Sequence, residues 1–257
     1  MRKRAMTATQ ASEIKKMGHI NERHFAEIIG GEVVKGTHKN DVIDQQSNNH
    51  SVKGGRYWQI FLYRKSRLLT NTEFQGIGRV ANLMVTCLDV FPEKRKDYET
   101  DKVHFKTLLR GPMRDLYEEI RKPSIFLELL SKAIFNGREV DYLSILTPCM
   151  SNSLSVSKKR YHIFTRNDVV DLLSTHLEIG NSRAIKKGDI PEQKVIFRYA
   201  GRNIGEIEIR NESDKHYREM KWRFEACGVF ALLDVLERFS LSEQIYLRGN
   251  AIETFSL

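Results

Sequence analysis

Asp41, Ser51 and Lys53 are the residues whose types and spacing could do chemistry in this chain. Asp41 heads a short apolar strand, Asp41–Asp44, directly after Lys39-Asn40. A second short strand, His50–Lys53, follows the polar turn Gln45-Gln46-Ser47-Asn48-Asn49. It places Ser51 and Lys53 on one face, because strand side chains repeat every two residues. One carboxylate, one lysine and a nearby polar position are a minimal kit for holding a divalent metal and activating a water. Phosphodiester hydrolysis needs that kit: a metal to polarise the phosphate, a positioned water, and a cation for the developing charge. Asp41 is the candidate metal ligand. Lys53 is the candidate that orients the water or meets the charge. Glu22, on a preceding helix, could supply an outer carboxylate. Asp44 ranks below Asp41, since three residues along a strand it points to the opposite face. Each residue also has a plainer reading: an aspartate beside an Asn-rich turn often caps it, and a lysine before Gly-Gly is often only solvated. His38 and His50 flank the hairpin and could touch metal or phosphate, or serve as polar turn residues.

Bulk properties set the surroundings of this kit. The chain has 257 residues and a net charge of +9, enough length for one generous domain or two small ones. Residues 1–67 hold thirteen Lys/Arg against six Asp/Glu, so most of the excess charge lies around the hairpin. A basic excess favours polyanions through counterion release. No apolar run approaches the ~18 residues that span a bilayer. The Met-Arg-Lys-Arg start is followed by no apolar core with a small-residue cleavage site, so no secretory signal is expected and the location expected is cytoplasmic. Cys87, Cys149 and Cys227 are widely spaced, which suits three buried thiols in a reducing cytosol. No Cys/His spacing resembles a zinc site, so a metal here would be a hard ion held by oxygen. The serines of 151–157 lack a Gly-x-Ser-x-Gly context, and Gly76-Ile77-Gly78 is too short for a dinucleotide loop.

Several elements must position the kit. Residues 11–29 predict an amphipathic helix through Ile14, Met17, Phe25, Ile28 and Ile29, stopped by Gly30-Gly31. Glu32-Val33-Val34 is a short strand candidate. Tyr57–Leu69, dense in apolar residues, is read as a helix. An apolar run over 78–92 ends at Pro92 and is followed by the charged stretch Glu93–Asp97. A helical block is expected over 114–147, with Leu116, Ile120, Ile125, Leu127, Leu129, Leu130, Ile134 and Phe135 as its core. Residues 151–161 look exposed. Lys194–Tyr199, Gly205–Arg210 and Met220–Glu225 read as strands, and the last two alternate apolar and charged residues with period two. That alternation describes a solvated sheet face, or a ribbon offering Lys/Arg to phosphates and base edges. Val229–Phe239 reads as a late helix.

The order of these elements resembles that of the PD-(D/E)XK nucleases, and of type II restriction endonucleases in particular. Those carry a helix with a glutamate, a hairpin bearing Asp and (D/E)-x-Lys, and then a helix. The counterparts here are Asn21-Glu22, Asn40-Asp41 in place of Pro-Asp, and Ser51-Val52-Lys53 in place of (D/E)-x-Lys, with Gln59 opening the next helix. The resemblance covers residues 12–65, and it departs from the pattern at Asn40 and Ser51. Some restriction enzymes read Ser-Val-Lys at this point and recruit the missing carboxylate from elsewhere, in some cases from the following helix. The corresponding helical position is Arg67, which cannot serve; Glu73 and Glu22 are the acids left. The Arg218–Phe224 segment is similar to the closing strands of some small restriction enzymes.

The resemblance implies a single α/β domain over 1–257, with a mixed central β-sheet flanked by helices on both faces. Residues 1–92 would hold the catalytic core elements and 158–225 an added β-rich portion that aids DNA recognition. It implies a Mg²⁺-dependent endonuclease that cuts double-stranded DNA at a short sequence. Asp41, the Val52 carbonyl and Glu22 would hold the metal. Lys53 would orient the water, Ser51 would occupy the altered acidic position, and Gln59 would complete the site. Lys39, His50 and Arg56 near the hairpin, with Arg183, Lys186, Lys187, Arg198, Arg202, Lys221 and Arg223 farther on, are the candidate DNA contacts. A homodimer would cut both strands together, and a monomer could nick each in turn. The alternatives are a DNA-binding protein without catalysis and a repair or junction nuclease of the same fold.

Overall fold

The structure is a computed structural model. It describes residues 8–36, 39–70, 74, 76–147, 160–184, 186–236, 238–240 and 245–248. His38, Glu73, Cys149 and the serines of 151–157 lie outside the described residues. The fold is mixed α/β, built on two sheets.

The first sheet grows from the hairpin. Helix α1 (Ala8–Ile29) ends where Gly30 takes the left-handed conformation, φ 65°, that terminates helices at low cost in glycine. Strands β1 (Glu32–Val33), β2 (Val42–Ile43) and β3 (Asn49–Lys53) follow as an antiparallel meander. Strand β5 (Tyr142–Leu146) runs parallel to β3, and β6 (Tyr161–Thr165) runs antiparallel to β5. With β11 (Arg238–Ser240) and β12 (Ile245–Arg248) they form a seven-stranded mixed sheet in the order β1-β2-β3-β5-β6-β12-β11. Strand alternation sorts the two faces. Phe25 and Ala26 of α1 pack with Val42, Val52, Tyr142, Tyr161 and Ile163 on one side. Leu143, Ile145 and Phe164 join the main core on the other. Ser51 has the same parity as Lys53 and therefore faces away from α1.

The second sheet is antiparallel, with the order β4-β10-β9-β8-β7. Its strands are β4 (Tyr57–Arg64), β7 (Glu178–Asn181), β8 (Lys194–Tyr199), β9 (Arg202–Arg210) and β10 (Glu219–Glu225). The main core lies between this sheet, the first sheet and the helices α2 (Lys65–Thr70), α3 (Val80–Asp89), α4 (Arg95–Thr100), α5 (Lys102–Ile120), α6 (Pro123–Phe135), α7 (Arg166–His176) and α8 (Ala226–Leu233). Among the described residues, no helix is long and apolar enough to cross a membrane.

Three expectations about elements need correction. The Tyr57–Leu69 stretch is not one helix: it is strand β4 followed by the short helix α2. Its apolar residues are dense because Trp58, Ile60 and Phe61 are all buried, while the backbone pairs with β10. The 114–147 block is also divided. Helix α5 ends at Ile120, Pro123 starts α6 at a position where its missing N–H costs nothing, and β5 follows. Leu127 in this block is 45% exposed rather than part of the core. The late helix stops at Leu233, and 238–240 are a strand. Ile14 and Met17 of the first helix are exposed as well, so only its second half is packed on the sheet. Cysteine chemistry differs too: Cys227 is disulfide-bonded. Cys87 is a free thiol whose burial, aided by Asp115, pushes its pKa up to about 12.

Candidate active site

The hairpin brings its three polar residues together as the strand periodicity predicts. The Asp41 N–H donates to the His50 carbonyl at 2.8 Å, which fixes Asp41 beside the start of β3. Asp41 Oδ2 then accepts from the Val52 N–H at 2.7 Å, from Lys53 Nζ at 3.3 Å and from Ser51 Oγ at 3.3 Å. Lys53 Nζ also donates to Ser51 Oγ at 2.6 Å and lies 3.4 Å from the Val52 carbonyl oxygen. Every hydrogen bond that the Asp41 carboxylate accepts among the described residues goes to Oδ2, which leaves Oδ1 uncommitted. The Asp41 and Lys53 side chains are 21% and 23% exposed, so both can be reached by a substrate. Ser51 is fully buried. It can hold Lys53 but cannot attack anything.

Asp41, Ser51 and Lys53 line a cavity of about 650 Å³ between the two sheets. Gln59 of β4, Arg67 of α2, and Asn136 and Glu139 after α6 line the same cavity. Gln59 thus reaches the expected place from a strand rather than a helix. Arg67 contributes a cation to the wall. Glu139 is an acid that the sequence reading missed, and it accepts a hydrogen bond from the Asn136 side chain. It follows helix α6 by a few residues and belongs to no periodic pattern, so only the tertiary fold brings it to the cavity that the hairpin lines.

Other expected residues are placed elsewhere. Glu22 does not line the cavity, and its carboxylate pairs with His19 at 2.9 Å. Its expected role as a metal ligand is therefore not supported by this arrangement. Lys39 lines the cavity, but its Nζ donates to the carbonyls of Ile60 and Ala133, the latter at 2.8 Å. It staples β4 to the end of α6 instead of being offered to DNA. His50 is fully buried and cannot meet DNA or metal from solvent. Its Nδ1 lies 2.9 Å from Ser144 Oγ and its Nε2 3.4 Å from Asp44 Oδ2, with its ring against Phe25 and Tyr142.

Asp44 is a clasp for the hairpin. Its Oδ1 accepts from the N–H groups of Gln46 and Asn48 at 2.9 and 2.8 Å, and its Oδ2 from Asn48 Nδ2 at 2.9 Å. Burial pushes this carboxyl up, but hydrogen bonds from His50 and Asn48 outweigh it and hold the pKa below the ordinary value. Such a group stabilises the fold above its unfolded pKa, and the contribution is lost as pH falls through the lower folded value. Asp44→Ala is expected to cost about 1–3 kcal/mol at neutral pH by orphaning these donors. Urea unfolding of both proteins should show that difference shrinking below about pH 4.

The charged ribbon is mostly self-neutralised. On the outer face of the second sheet, Lys194 pairs with Glu206 at 3.0 Å and also with Glu208. Lys221 pairs with Glu208 at 3.2 Å, and Arg223 pairs with Glu206. Burial opposes charge here, yet the cross-strand partners win: Lys194 is held above the ordinary lysine pKa and Glu208 below the ordinary carboxylate value. Lys221 and Arg223 are therefore sheet-face ion pairs, not free contacts for DNA. Arg202 is largely exposed, 3.9 Å from Glu225. Arg56 is exposed, with its guanidinium 5.3 Å from the centre of the Tyr57 ring.

The donor set suits a hard cation used sparingly. Among the described residues no group of three or more His, Cys, Asp or Glu stands ready to hold a metal. The cavity still offers Asp41 Oδ1 and Glu139. That fits Mg²⁺, which keeps several waters and takes one or two carboxylates plus substrate phosphate. No protein-family model matches this chain, and no curated protein sequence matches it.

Proposed function

We propose that this chain is a Mg²⁺-dependent endonuclease of the type II restriction kind, a PD-(D/E)XK enzyme hydrolysing both strands of double-stranded DNA at a short specific sequence. The observation that carries the reading is the Asp41–Ser51–Lys53 group, gathered at one wall of the cavity with Asp41 Oδ1 uncommitted. Asp41 Oδ1 and the Val52 carbonyl would hold the ion, with Glu139 as the second acid the cavity offers. When bound, Mg²⁺ supplies Lewis-acid polarisation of the scissile phosphoryl group. Lys53 turns its ammonium from Asp41 towards the attacking water or a phosphoryl oxygen, where a cation meets the growing charge. Ser51 acts as a positioning residue, holding Lys53 Nζ at 2.6 Å. Gln59 and Arg67 line the route by which the phosphate enters.

Supercoiled plasmid is the test substrate, incubated with purified protein in Mg²⁺ and in EDTA. Discrete fragments that need Mg²⁺ are the expected result. Binding without cleavage in either condition would sink the nuclease reading in favour of a non-catalytic DNA-binding protein. Cutting confined to branched junctions would replace restriction with repair.

A further inference from the structure

A second cavity, of about 690 Å³, opens between α5 and the outer face of the second sheet near its β7 edge. Lys102, Lys106, Arg183, Lys194 and Arg198 line it, against Asp189 and Glu206. It shares no residue with the cavity that holds Asp41. Lys106 and Arg183 are exposed and form no ion pair among the described residues, and the same holds for Lys186 and Lys187 on the adjoining loop. Helix geometry puts Lys102 and Lys106 on one face, about 6 Å apart along the axis.

The groove is built rather than loose. Glu192 takes a bidentate pair from Arg114, both distances 2.7 Å, and a third hydrogen bond from Arg110 at 3.1 Å. Gln193 donates to the Lys106 carbonyl at 2.8 Å. These contacts bolt the loop carrying Arg183 to the helix carrying Lys106. On the opposite side, Arg198 donates to Asn203 at 3.0 Å and lies across Gly180 of β7. A Cβ on Gly180 would collide with the Arg198 guanidinium, so the glycine makes room for it. Arg198, held in advance by Asn203, loses little freedom when a ligand arrives, while Lys106 and Arg183 are carried on a fixed backbone.

A smaller hollow borders both cavities at the β4 end of the sheet. It is lined by Arg56, Tyr57 and Arg223, among others, and shares Phe224 with the first cavity and Asn203 and Glu206 with the second. From β4 to β7 the sheet spans four inter-strand spacings, about 19 Å. That is roughly the rise of six base pairs.

We infer that this groove binds the phosphodiester backbone of double-stranded DNA away from the cut, through Lys106, Arg183 and Arg198, with the Arg56 hollow as the path between. The inference rests on the nuclease reading and adds to it a second contact region. Five cations against the two carboxylates of Asp189 and Glu206 give the groove a positive excess that suits a phosphate backbone.

Binding of a duplex of about 20 base pairs is measured in EDTA across a salt series, for wild type and for Lys106→Ala/Arg183→Ala. Both side chains are exposed, so the fold is not at stake. Losing two phosphate contacts should flatten the log–log salt slope by about two and weaken binding roughly tenfold per contact near 0.1 M salt. An unchanged slope and affinity in a protein whose wild type binds and cuts DNA would overturn the groove alone. A wild type that neither binds nor cuts would overturn the nuclease reading beneath it. Tighter binding of poly-glutamate than of duplex, lost in the double variant, would assign the groove to an acidic polypeptide and overturn the inference.

Discussion

Asp41→Asn and Lys53→Ala are each expected to lower the rate of Mg²⁺-dependent plasmid cleavage by roughly 10²–10⁴-fold while leaving the protein folded. At about 1.36 kcal/mol per decade, that is about 3–5 kcal/mol of transition-state stabilisation. The two losses have different origins. Asp41→Asn keeps an oxygen to accept the 2.7 Å hydrogen bond from Val52, so the hairpin survives. It removes the negative charge that a divalent ion needs. Lys53→Ala removes the cation but leaves Asp41 anchored by the Val52 N–H. Lys53→Arg is the informative companion. Its planar fork cannot reproduce the single 2.6 Å contact to Ser51 Oγ, so a retained charge should restore little activity. Turnover of supercoiled plasmid checks all three variants. Wild-type rates in Asp41→Asn would show that the carboxylate holds nothing required for the reaction.

Trp222→Ala is expected to cost about 3–5 kcal/mol of stability. Trp222 is fully buried on β10, stacked on Phe197 with centroids 5.2 Å apart and edge-on to Phe61 at 5.8 Å. It ties β4, which lines the candidate active site, to the rest of the second sheet. The indole leaves a cavity that neighbouring rings cannot close, and the loss is a large share of a typical domain's 5–15 kcal/mol. Lys221→Ala on the adjacent position is the contrast. Its pair with Glu208 is largely buried, but Glu208 keeps Lys194 as a partner, so the loss should be about 1–2 kcal/mol, below that of Trp222→Ala. Guanidinium unfolding of both variants measures the difference. Equal midpoints for the two would contradict this placement of the core.

Much of the site could be read from sequence because it is local. Asp41, Ser51 and Lys53 meet through one hairpin, and strand periodicity puts them on one face. Residues that depend on distant partners were harder. Lys221 and Arg223 read as available cations because their neutralising partners, Glu208 and Glu206, sit across the sheet on β9. His50 read as a polar turn residue or a DNA contact, yet the strand turns its ring under α1. Glu139 carried no periodic signal, and only the packing of α6 against β4 brings it to the same cavity. The Tyr57–Leu69 error has the same cause. Pairing with β10 skips Ile60, and this bulge puts Ile60 and Phe61 in the core side by side, so the alternation breaks and the apolar density looks helical.

The most direct measurement is the sequence of the DNA ends that the protein makes. Linear DNA of random sequence is incubated with wild type or Asp41→Asn in Mg²⁺, and all termini are sequenced. The structure-based reading predicts ends clustered at one short motif, cut in both strands, with Asp41→Asn at background. Ends scattered without a motif, or equally abundant with Asp41→Asn, would contradict it.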